Sequence, residues 1–313
     1  ITAVNEIGQK EIIAKKHFMH GSGIALGDIN NDGWVDIYVP RLKESNILYI
    51  NMGGWEFKDI TKDAGVSCPN RYSNGSVFAD VDGDRDLDLV VTALGGPNSI
   101  FLNDGNGKFS ESVLASKLEN PGSTSSALAD VDNDGDLDLY ITNYKRLAMR
   151  DSLPPSVISF DNTLMEITNN RWIVLPPFNQ EYEAAVKGDV LLRFEMAEVD
   201  QYYINDGDGN FEFIDITKSH FKNEKGSPIE HHLRDWGLVA QFRDINNDTH
   251  PDIYICNDFE SPDRVWINNG DGTFNLIPKL ALRHTSNSSM ACLLYTSDAA
   301  DERSSVDLGG RRI

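Results

Sequence analysis

Basic residues are scarce in this chain, and the shortage limits what it can bind. Its 313 residues include 28 Lys and Arg against 49 Asp and Glu, a formal net charge of −21. So acidic a surface repels phosphate groups, which argues against a nucleic-acid partner. Long apolar runs are missing too. None approaches the roughly 20 residues of a membrane-spanning helix, so the sequence predicts no membrane span.

Cysteine is almost absent as well. The chain has three, Cys68, Cys256 and Cys292, and the last belongs to a segment set apart below. The other two are too few for a disulfide scaffold, and the sequence leaves free thiols and a single bridge equally open. The chain also lacks a nucleophile elbow, a Cys–His set and zinc-type His spacing, so no motif indicates an enzyme class.

What the chain does have is one nine-residue acidic pattern in four copies. It reads DINNDGWVD from Asp28, DVDGDRDLD from Asp80, DVDNDGDLD from Asp130 and DINNDTHPD from Asp244. Positions 1, 3, 5 and 9 are always Asp or Asn. Carboxylates this close repel one another unless they surround a hard cation that prefers oxygen ligands, so the pattern predicts calcium sites.

The predicted ligands are the side chains at positions 1, 3, 5 and 9, with a backbone carbonyl from position 7. They are Asp28, Asn30, Asp32, Trp34 and Asp36; Asp80, Asp82, Asp84, Asp86 and Asp88; Asp130, Asp132, Asp134, Asp136 and Asp138; and Asp244, Asn246, Asp248, His250 and Asp252.

These loops are not EF-hands. An EF-hand carries a bidentate Glu at position 12 and continues into a helix. Here position 12 is Val or Ile, and the residues that follow (VDIYV, LDLVV, LDLYI, PDIYI) alternate as strands do. Each loop is therefore expected to join two strands.

The four loops are not expected to bind calcium equally. Position 6 makes a sharp turn that suits Gly, which Gly33 and Gly135 supply, whereas Arg85 and the β-branched Thr249 strain it. At positions 1, 3, 5 and 9 the second and third loops also carry four carboxylates each, against three and one Asn in the others. We expect the third loop to bind most tightly and the fourth least. The alternative for the fourth is a degenerate turn held by hydrogen bonds alone.

A second pattern follows each acidic loop and predicts a hairpin. It reads NILYINMGGWEF from Asn46, NSIFLNDGNGKF from Asn98, QYYINDGDGNFEF from Gln201 and RVWINNGDGTF from Arg264. Its Asn, Asp and Gly residues favour tight turns. These turns could be further metal sites, but the first copy has no carboxylate at Met52–Gly54, which favours a turn.

Repeat spacing predicts the fold. The first three loops start 52 and 50 residues apart, and each unit holds four short strands. In the second unit these are expected near 76–80, 87–93, 98–103 and 107–111. Four-stranded units at this period are typical of a β-propeller, so we predict an all-β open arc of about four blades. A β-sandwich with chance repeats is the alternative.

The blades are expected at about 20–62, 74–115, 124–217 and 236–280, with the start of a fifth at 284–291. The third blade holds an insertion at 144–200, whose Pro pairs and aromatic residues indicate an ordered excursion. It could be a packed decoration of one blade or a flap that contacts a ligand.

The two ends are expected to lie outside the repeat. Residues 1–19 form a partial N-terminal segment without an initiator Met or signal peptide. Residues 292–313 (CLLYTSDAADERSSVDLGGRRI) look like a translated sequencing adapter and are excluded from the fold prediction. A genuine disordered tail is the alternative.

These patterns resemble the FG-GAP/VCBS repeats of integrin-α-like propellers and, more narrowly, the cartilage acidic protein group that carries an ASPIC/UnbV domain. The resemblance rests on HGSGIALGDINNDGWVDIYV, DWGLVAQFRDINNDTHPDIYICNDFESPDRVWINNGDGTF and ALRHTSNSSM. It implies a secreted or cell-surface propeller, commonly with seven blades, whose loop residues bind calcium. The chain departs from the family pattern at Arg85 and Thr249, and it lacks the Phe-Gly and Gly-Ala-Pro words and the ASPIC/UnbV domain.

Two functions compete, and a purely structural spacer is a third possibility. The leading one is a non-catalytic extracellular module for recognition or adhesion, whose partner is a protein or a glycan, because weak calcium loops are useful only where calcium is plentiful. The alternative is a propeller-scaffold lyase or hydrolase acting on carbohydrate. Its candidate residues are the polar side chains that do not repeat: His231, His232, Asp235, Asp258 and Glu260.

Overall fold

The computed structural model describes residues 22–113, 121–168, 171–216, 220–258, 261–278 and 289, and β-strands are the main secondary structure among them. Apart from Ser289, the expected N-terminal segment, the start of a fifth blade and the tail at 292–313 lie outside the described residues. So does the candidate catalytic residue Glu260.

The first two sheets are four-stranded, antiparallel and ordered as in the sequence. A short helix, α1 (Thr61–Ala64), links them. The first sheet consists of β1 (Ala25–Gly27), β2 (Asp36–Val39), β3 (Ile47–Asn51) and β4 (Phe57–Asp59). The second consists of β5 (Ser73–Ala79), β6 (Asp88–Ala93), β7 (Ser99–Asn103) and β8 (Phe109–Val113). The strands of the second sheet begin within three residues of their predicted positions.

The third sheet is interrupted by the insertion. It begins with β9 (Ser123–Ala129) and β10 (Asp138–Asn143). The insertion then contributes α2 (Met149–Ser152), α3 (Phe160–Thr163), β11 (Leu164–Thr168), β12 (Arg171–Val174), a 3-10 turn (Phe178–Gln180), β13 (Tyr182–Lys187) and β14 (Val190–Glu195). The sheet resumes with β15 (Gln201–Asn205) and β16 (Phe211–Ile214). The insertion is thus two hairpins with a small core of Ile158, Phe178 and Tyr182.

The fourth sheet has five strands rather than the expected four. Its antiparallel strands are β18 (Gly237–Arg243), β19 (Asp252–Asn257), β20 (Arg264–Asn268) and β21 (Phe274–Leu276). A two-residue strand, β17 (Phe221–Lys222), pairs in parallel with β21 at the outer edge. Its aromatic ring explains the pairing, because Phe221 is fully buried and stacks on Phe274 with ring centroids 5.1 Å apart.

The four sheets form the blades of an open propeller arc. Their first strands, β1, β5, β9 and β18, contact one another in that order, and within the described residues no sheet closes on itself. Alternate residues of a central strand face opposite neighbours. In β6, Leu89 and Val91 pack toward the first blade, whereas Val90 packs toward Leu139 and Tyr203 of the third. All-β architecture, open arc and inserted third blade are confirmed; the domain boundaries stay a prediction.

The blade ends define two faces of the arc. The acidic loops join first to second strands and the hairpin turns join third to fourth strands, so both lie at one end, here called the loop face. The insertion joins β10 to β15 and therefore emerges at the other end, here called the insertion face. The cysteines Cys68 and Cys256 are buried free thiols, which decides between the two alternatives left open above.

Candidate metal centres

The ninth residue of each acidic loop closes the loop. It is the first residue of the second strand, and its side chain is at most 1% exposed in all four blades. In the second loop, Asp88 Oδ2 accepts a hydrogen bond from Val81 N at 2.9 Å, and Oδ1 accepts one from Asn103 N at 2.8 Å. The same two bonds recur at Asp36, Asp138 and Asp252. This carboxylate therefore fastens the loop to the third strand.

Burial makes the ionised form of this carboxylate unfavourable. It raises the pKa of Asp88 to about 6 and the pKa of Asp138 to about 7, although the backbone donors oppose the shift. The neighbouring loop carboxylates raise both pKa values further. Burial also raises the pKa of Asp36 and Asp252. A bound cation would reverse this effect by favouring the charged form.

The first and third residues of the third loop hold two unsatisfied oxygens. Asp130 Oδ2 accepts a hydrogen bond from Gly135 N at 3.1 Å. Its Oδ1 and the Oδ1 of Asp132 are buried and have no hydrogen-bond partner among the described residues. A buried carboxylate oxygen without a donor is costly, and a cation is the natural partner for two of them in one loop.

Carboxylate oxygens converge in the second and third loops. One oxygen each from Asp80, Asp82 and Asp88 lies within 4.8 Å of the others, and the same holds for Asp130, Asp132 and Asp134. An oxygen-only set of this size suits calcium. The residues present therefore fit a calcium ion best in these two loops. The full set of twenty predicted ligands stays a prediction.

The first and fourth loops are closed by their own hydrogen bonds. Both carboxylate oxygens of Asp28 accept backbone hydrogen bonds, from Asp32 N at 3.1 Å and Gly33 N at 2.7 Å. The third-position amide, Asn30 Nδ2, donates to Asp32 Oδ2 at 3.0 Å. Asp244, Asn246 and Asp248 repeat this arrangement in the fourth loop. An amide here thus donates to a carboxylate that would otherwise be available to a cation.

The seventh residue stabilises the loop through its backbone N–H. In each copy this N–H donates to the fifth-position carboxylate, as from Asp86 to Asp84 at 2.9 Å and from Asp136 to Asp134 at 3.0 Å. The side chain covers the glycine of the hairpin turn in its own blade, and a Cβ at Gly207 would collide with Asp136. The predicted carbonyl ligand at this position stays a prediction.

Backbone angles agree with the expected turn at position 6. Its φ is positive in all four loops, including 77° at Arg85 and 76° at Thr249. The sequence analysis missed a second such position. The fourth residue also has positive φ throughout, and it is Asn or Gly in every copy: Asn31, Gly83, Asn133 and Asn247. These are the residues that tolerate this conformation, so the composition carried the signal.

A side chain at the end of the third strand links neighbouring blades in blades two, three and four. Asn103 Nδ2 donates to Ile29 O in the preceding loop at 2.8 Å, and Asn205 and Asn268 donate to Val81 O and Val131 O at the same distance. The distance from the start of the acidic loop to this Asn is 23 residues in the first two blades and 24 in the fourth, and this near-constant spacing is the signal that could have found it. Each of the first three loops is therefore coupled to the next blade.

The hairpin turns themselves are stabilised by local donors. Asp104 accepts hydrogen bonds from Asn106 N at 2.9 Å and Lys108 N at 3.2 Å, and these donors lower its pKa. Asp206 accepts the corresponding bonds from Asp208 N and Asn210 N. These contacts favour turns over further metal sites.

The candidate catalytic residues do not all lie together. His231, His232 and Asp235 line one cavity of about 660 Å³ on the insertion face. Asp235 is already paired with Arg264, whose Nε and Nη2 donate to it at 2.8 and 3.1 Å. Asp258 is buried and accepts a hydrogen bond from the Tyr144 hydroxyl at 3.3 Å. Three of the five candidates thus share a cavity.

Comparisons with known proteins agree with the repeat. The FG-GAP-like repeat family matches residues 28–91, 80–141 and 244–298, so the last match runs into the segment excluded above as an adapter. Cartilage acidic protein 1 of Mus musculus is 28% identical over 117 residues, which are 37% of this chain and 18% of the relative. Its counterpart from Xenopus tropicalis is 33% identical over 98 residues, 31% and 15% of the two chains. The match thus spans less than a fifth of these relatives.

Comparison with solved structures found matches of low similarity. The GH43_1 enzyme from Xanthomonas citri is 11% identical with a TM-score of 0.40, and the match covers 82% of this chain and 72% of the other.

None of the helices in the described part of the chain has the length and apolar composition needed to cross a bilayer.

Proposed function

Because this chain belongs to the FG-GAP-like repeat family, we propose that it is a non-catalytic, extracellular, calcium-binding propeller module that recognises a protein or a glycan. The observation that carries the calcium part is the pair of buried, unsatisfied oxygens of Asp130 and Asp132. The name of the relatives places them in cartilage, which supports an extracellular location.

Calcium would be held by the loop carboxylates. In the third loop these are Asp130, Asp132 and Asp134, with Asp138 behind them, and in the second loop Asp80, Asp82 and Asp88. The ion supplies positive charge where burial and mutual repulsion disfavour several carboxylates at once. Backbone N–H groups of the loops hold these carboxylates in place through the hydrogen bonds described above.

The loops can pass this stabilisation to the blades. Asn205 donates to Val81 O inside the second loop, and Asn268 donates to Val131 O inside the third. A loop made rigid by calcium therefore also fixes a hydrogen bond to the next blade. At a Kd of about 0.1–1 mM, millimolar calcium would add roughly 0.4–1.4 kcal/mol per site.

Calorimetric calcium titration of Asp130→Ala and Asp244→Ala tests the proposal. We expect the first variant to lose the tightest site and the second to leave calcium binding nearly unchanged. A chelator should lower the melting temperature of the parent chain. Equal losses in the two variants, or a melting temperature that a chelator does not move, would contradict the proposal.

A carbohydrate-active enzyme is the second candidate, because His231, His232 and Asp235 share one cavity. Most glycoside hydrolases need a pair of free carboxyl groups. Asp235 is engaged by Arg264, which favours binding over catalysis. Release of new reducing ends from a polysaccharide incubated with the chain would support the enzyme instead.

A further inference from the structure

We propose that the cavity on the insertion face is a binding site for an acidic saccharide, recognised through its carboxylate or sulfate groups. The inference rests on the proposed recognition function and assigns it a place and a ligand class. The cavity lies between β14 and the segment that leads into β18, at the opposite end of the blades from the acidic loops. It is called the insertion cavity below.

One wall of the insertion cavity is anchored by a buried lysine. Lys145 is 4% exposed, and its Nζ lies 2.7 Å from Glu181 Oε2 and 3.0 Å from Glu195 Oε1. It also donates to Met196 O at 2.9 Å. These contacts tie the end of β10 to β13 and β14, so the insertion is held against its own blade.

The opposite wall is fixed to the insertion as well. Trp236 Nε1 donates to Glu195 O at 3.1 Å, and its ring meets the Tyr144 ring edge-on at 4.7 Å. Arg234 Nε donates to Ala197 O at 2.8 Å, and its Nη1 donates to Gln180 O at 2.5 Å. The cavity is therefore preformed between the insertion and the fourth blade, which limits the entropy lost on binding.

Positive charge is concentrated here in a chain that is otherwise strongly acidic. Four of its fourteen arginines line the insertion cavity: Arg150, Arg193, Arg234 and Arg264. Asp235 pairs with Arg264, which removes one lining charge of each sign, and Lys145 is shared between Glu195 and Glu181. Glu183 is exposed at the rim.

Two of these arginines donate to neutral groups in the hydrogen bonds that the structure describes. Arg234 donates to main-chain carbonyls. Arg193 Nη1 donates to Ile158 O at 2.6 Å, and the guanidinium lies 4.3 Å from the centre of the Tyr182 ring. Carbonyls and rings orient a guanidinium without cancelling its charge. The local field therefore favours an anion, against the trend of the whole chain.

The shape and lining favour a saccharide that carries the anion. The volume of about 660 Å³ lies in the roughly 300–1,000 Å³ range of small-ligand sites. Guanidinium forks match planar or tetrahedral oxyanions, while His231, His232 and Ser261 offer hydrogen-bonding groups for hydroxyls. Phe194 and Leu233 supply apolar surface for a ring face.

Calorimetry with defined saccharides tests the proposal on the whole chain. The probes are tri-galacturonate, its fully methyl-esterified form and a sulfated disaccharide. The two acidic probes separate carboxylate from sulfate recognition, and the ester keeps the sugar skeleton without the charge. We expect at least one acidic probe to bind, and the ester to bind at least about tenfold more weakly than tri-galacturonate if the carboxylate is recognised.

Substitutions locate the binding. Arg234→Gln and the surface variant Arg150→Gln should each weaken binding of the acidic probe about tenfold. Arg171→Gln removes the same charge from the same insertion outside the cavity and should bind like the parent. The Arg150→Gln variant protects the test against misfolding, because that side chain is exposed.

The outcomes separate this inference from the calcium proposal. Failure of both acidic probes to bind, or equal binding of tri-galacturonate and its ester without binding of the sulfated disaccharide, would overturn the saccharide site. Unchanged calcium titration in the same variants would leave the calcium proposal standing. Cleavage of a bound probe would refute the non-catalytic function while supporting the site.

Discussion

The second and third acidic loops differ from the first and fourth at positions 2, 3, 7 and 8, and the exchange of Asp for Asn at position 3 is the one that changes the side-chain hydrogen bonds inside the loop. With Asp at position 3, carboxylate oxygens converge, and in the third loop two are left buried without a donor. With Asn30 or Asn246 there, the amide donates to the fifth-position carboxylate. We propose that a cation holds this backbone turn in the second and third loops, whereas an amide holds it in the first and fourth.

The ninth-position carboxylate does not follow this division. It accepts the same two backbone hydrogen bonds in every loop, whether position 3 is Asp or Asn. We therefore assign it mainly to the fold and propose that positions 1, 3 and 5 set the affinity for calcium, although Asp88 also lies in the oxygen cluster of the second loop.

The same exchange of Asn for Asp occurs at the other end of the blades. The residue near the start of the third strand is Asn46, Asn98, Asp200 or Asp263, and it accepts a hydrogen bond from the backbone in each blade. In the third blade the Tyr140 hydroxyl donates to Asp200, whereas in the first blade the Asn46 amide donates to the Tyr38 hydroxyl. Blades one and two are uncharged at this position, and blades three and four carry a carboxylate.

The largest expected effect is removal of a ninth-position carboxylate. Asp138→Ala leaves two backbone N–H groups without their acceptor, and we expect a loss of about 2–4 kcal/mol in the free energy of unfolding, measured in urea without calcium. Asp36→Ala should be similarly destabilising although its loop contains Asn30.

The control for this measurement is Asp208→Ala, an exposed residue on the hairpin turn of the same blade. It should change stability by less than about 0.5 kcal/mol. If Asp36→Ala proved harmless while Asp138→Ala did not, the two backbone hydrogen bonds that both loops share would not explain the loss, and the ninth residue would not have the same role in every blade.

The next effect is a pH dependence at the insertion face. Burial raises the pKa of Asp200 to about 7, against the opposing hydrogen bonds from Asn143 N and the Tyr140 hydroxyl. The folded chain therefore holds this proton more tightly than the unfolded chain. Its contribution to stability is complete below about pH 4 and is lost as the pH rises toward 7.

Asp200→Asn makes the third blade resemble the first two and should remove that slope. Relative to the parent chain, we expect the variant to gain on the order of 2 kcal/mol in unfolding free energy between pH 4.5 and 7.5, followed by urea denaturation at saturating calcium. Asp208→Asn serves as the matched control, and its unfolding free energy should depend on pH as that of the parent chain does. Parallel curves for Asp200→Asn would show that the carboxyl titrates normally.

Much of this organisation is predictable from the sequence, because it depends on short-range patterns. The four acidic words, the alternating strands and the turn at Thr249 are local features, and the structure agrees with them. The contacts between blades are not local. The hydrogen bond from Asn103 to Ile29 O joins residues 74 positions apart. Strand β17 pairs with β21 where Phe221 stacks on Phe274. The insertion cavity depends on the contact between residues 231–236 and β14, and the repeat pattern does not predict that contact.

The smallest expected effect is the most direct test of the comparison between loops. Asn30→Asp replaces the amide that donates to Asp32 and gives the first loop four carboxylates on a backbone that already has Gly33 at the turn. We expect its calcium affinity to rise about tenfold in a calorimetric titration, equivalent to about 1.4 kcal/mol.

The matching variant of the fourth loop, Asn246→Asp, should gain less calcium affinity, because Thr249 holds the same turn at a φ of 76°. Asn106→Asp adds the same charge to an exposed hairpin turn and should gain nothing. Equal gains in all three variants would mean that calcium responds to overall charge, and position 3 would then lose its role in distinguishing the loops.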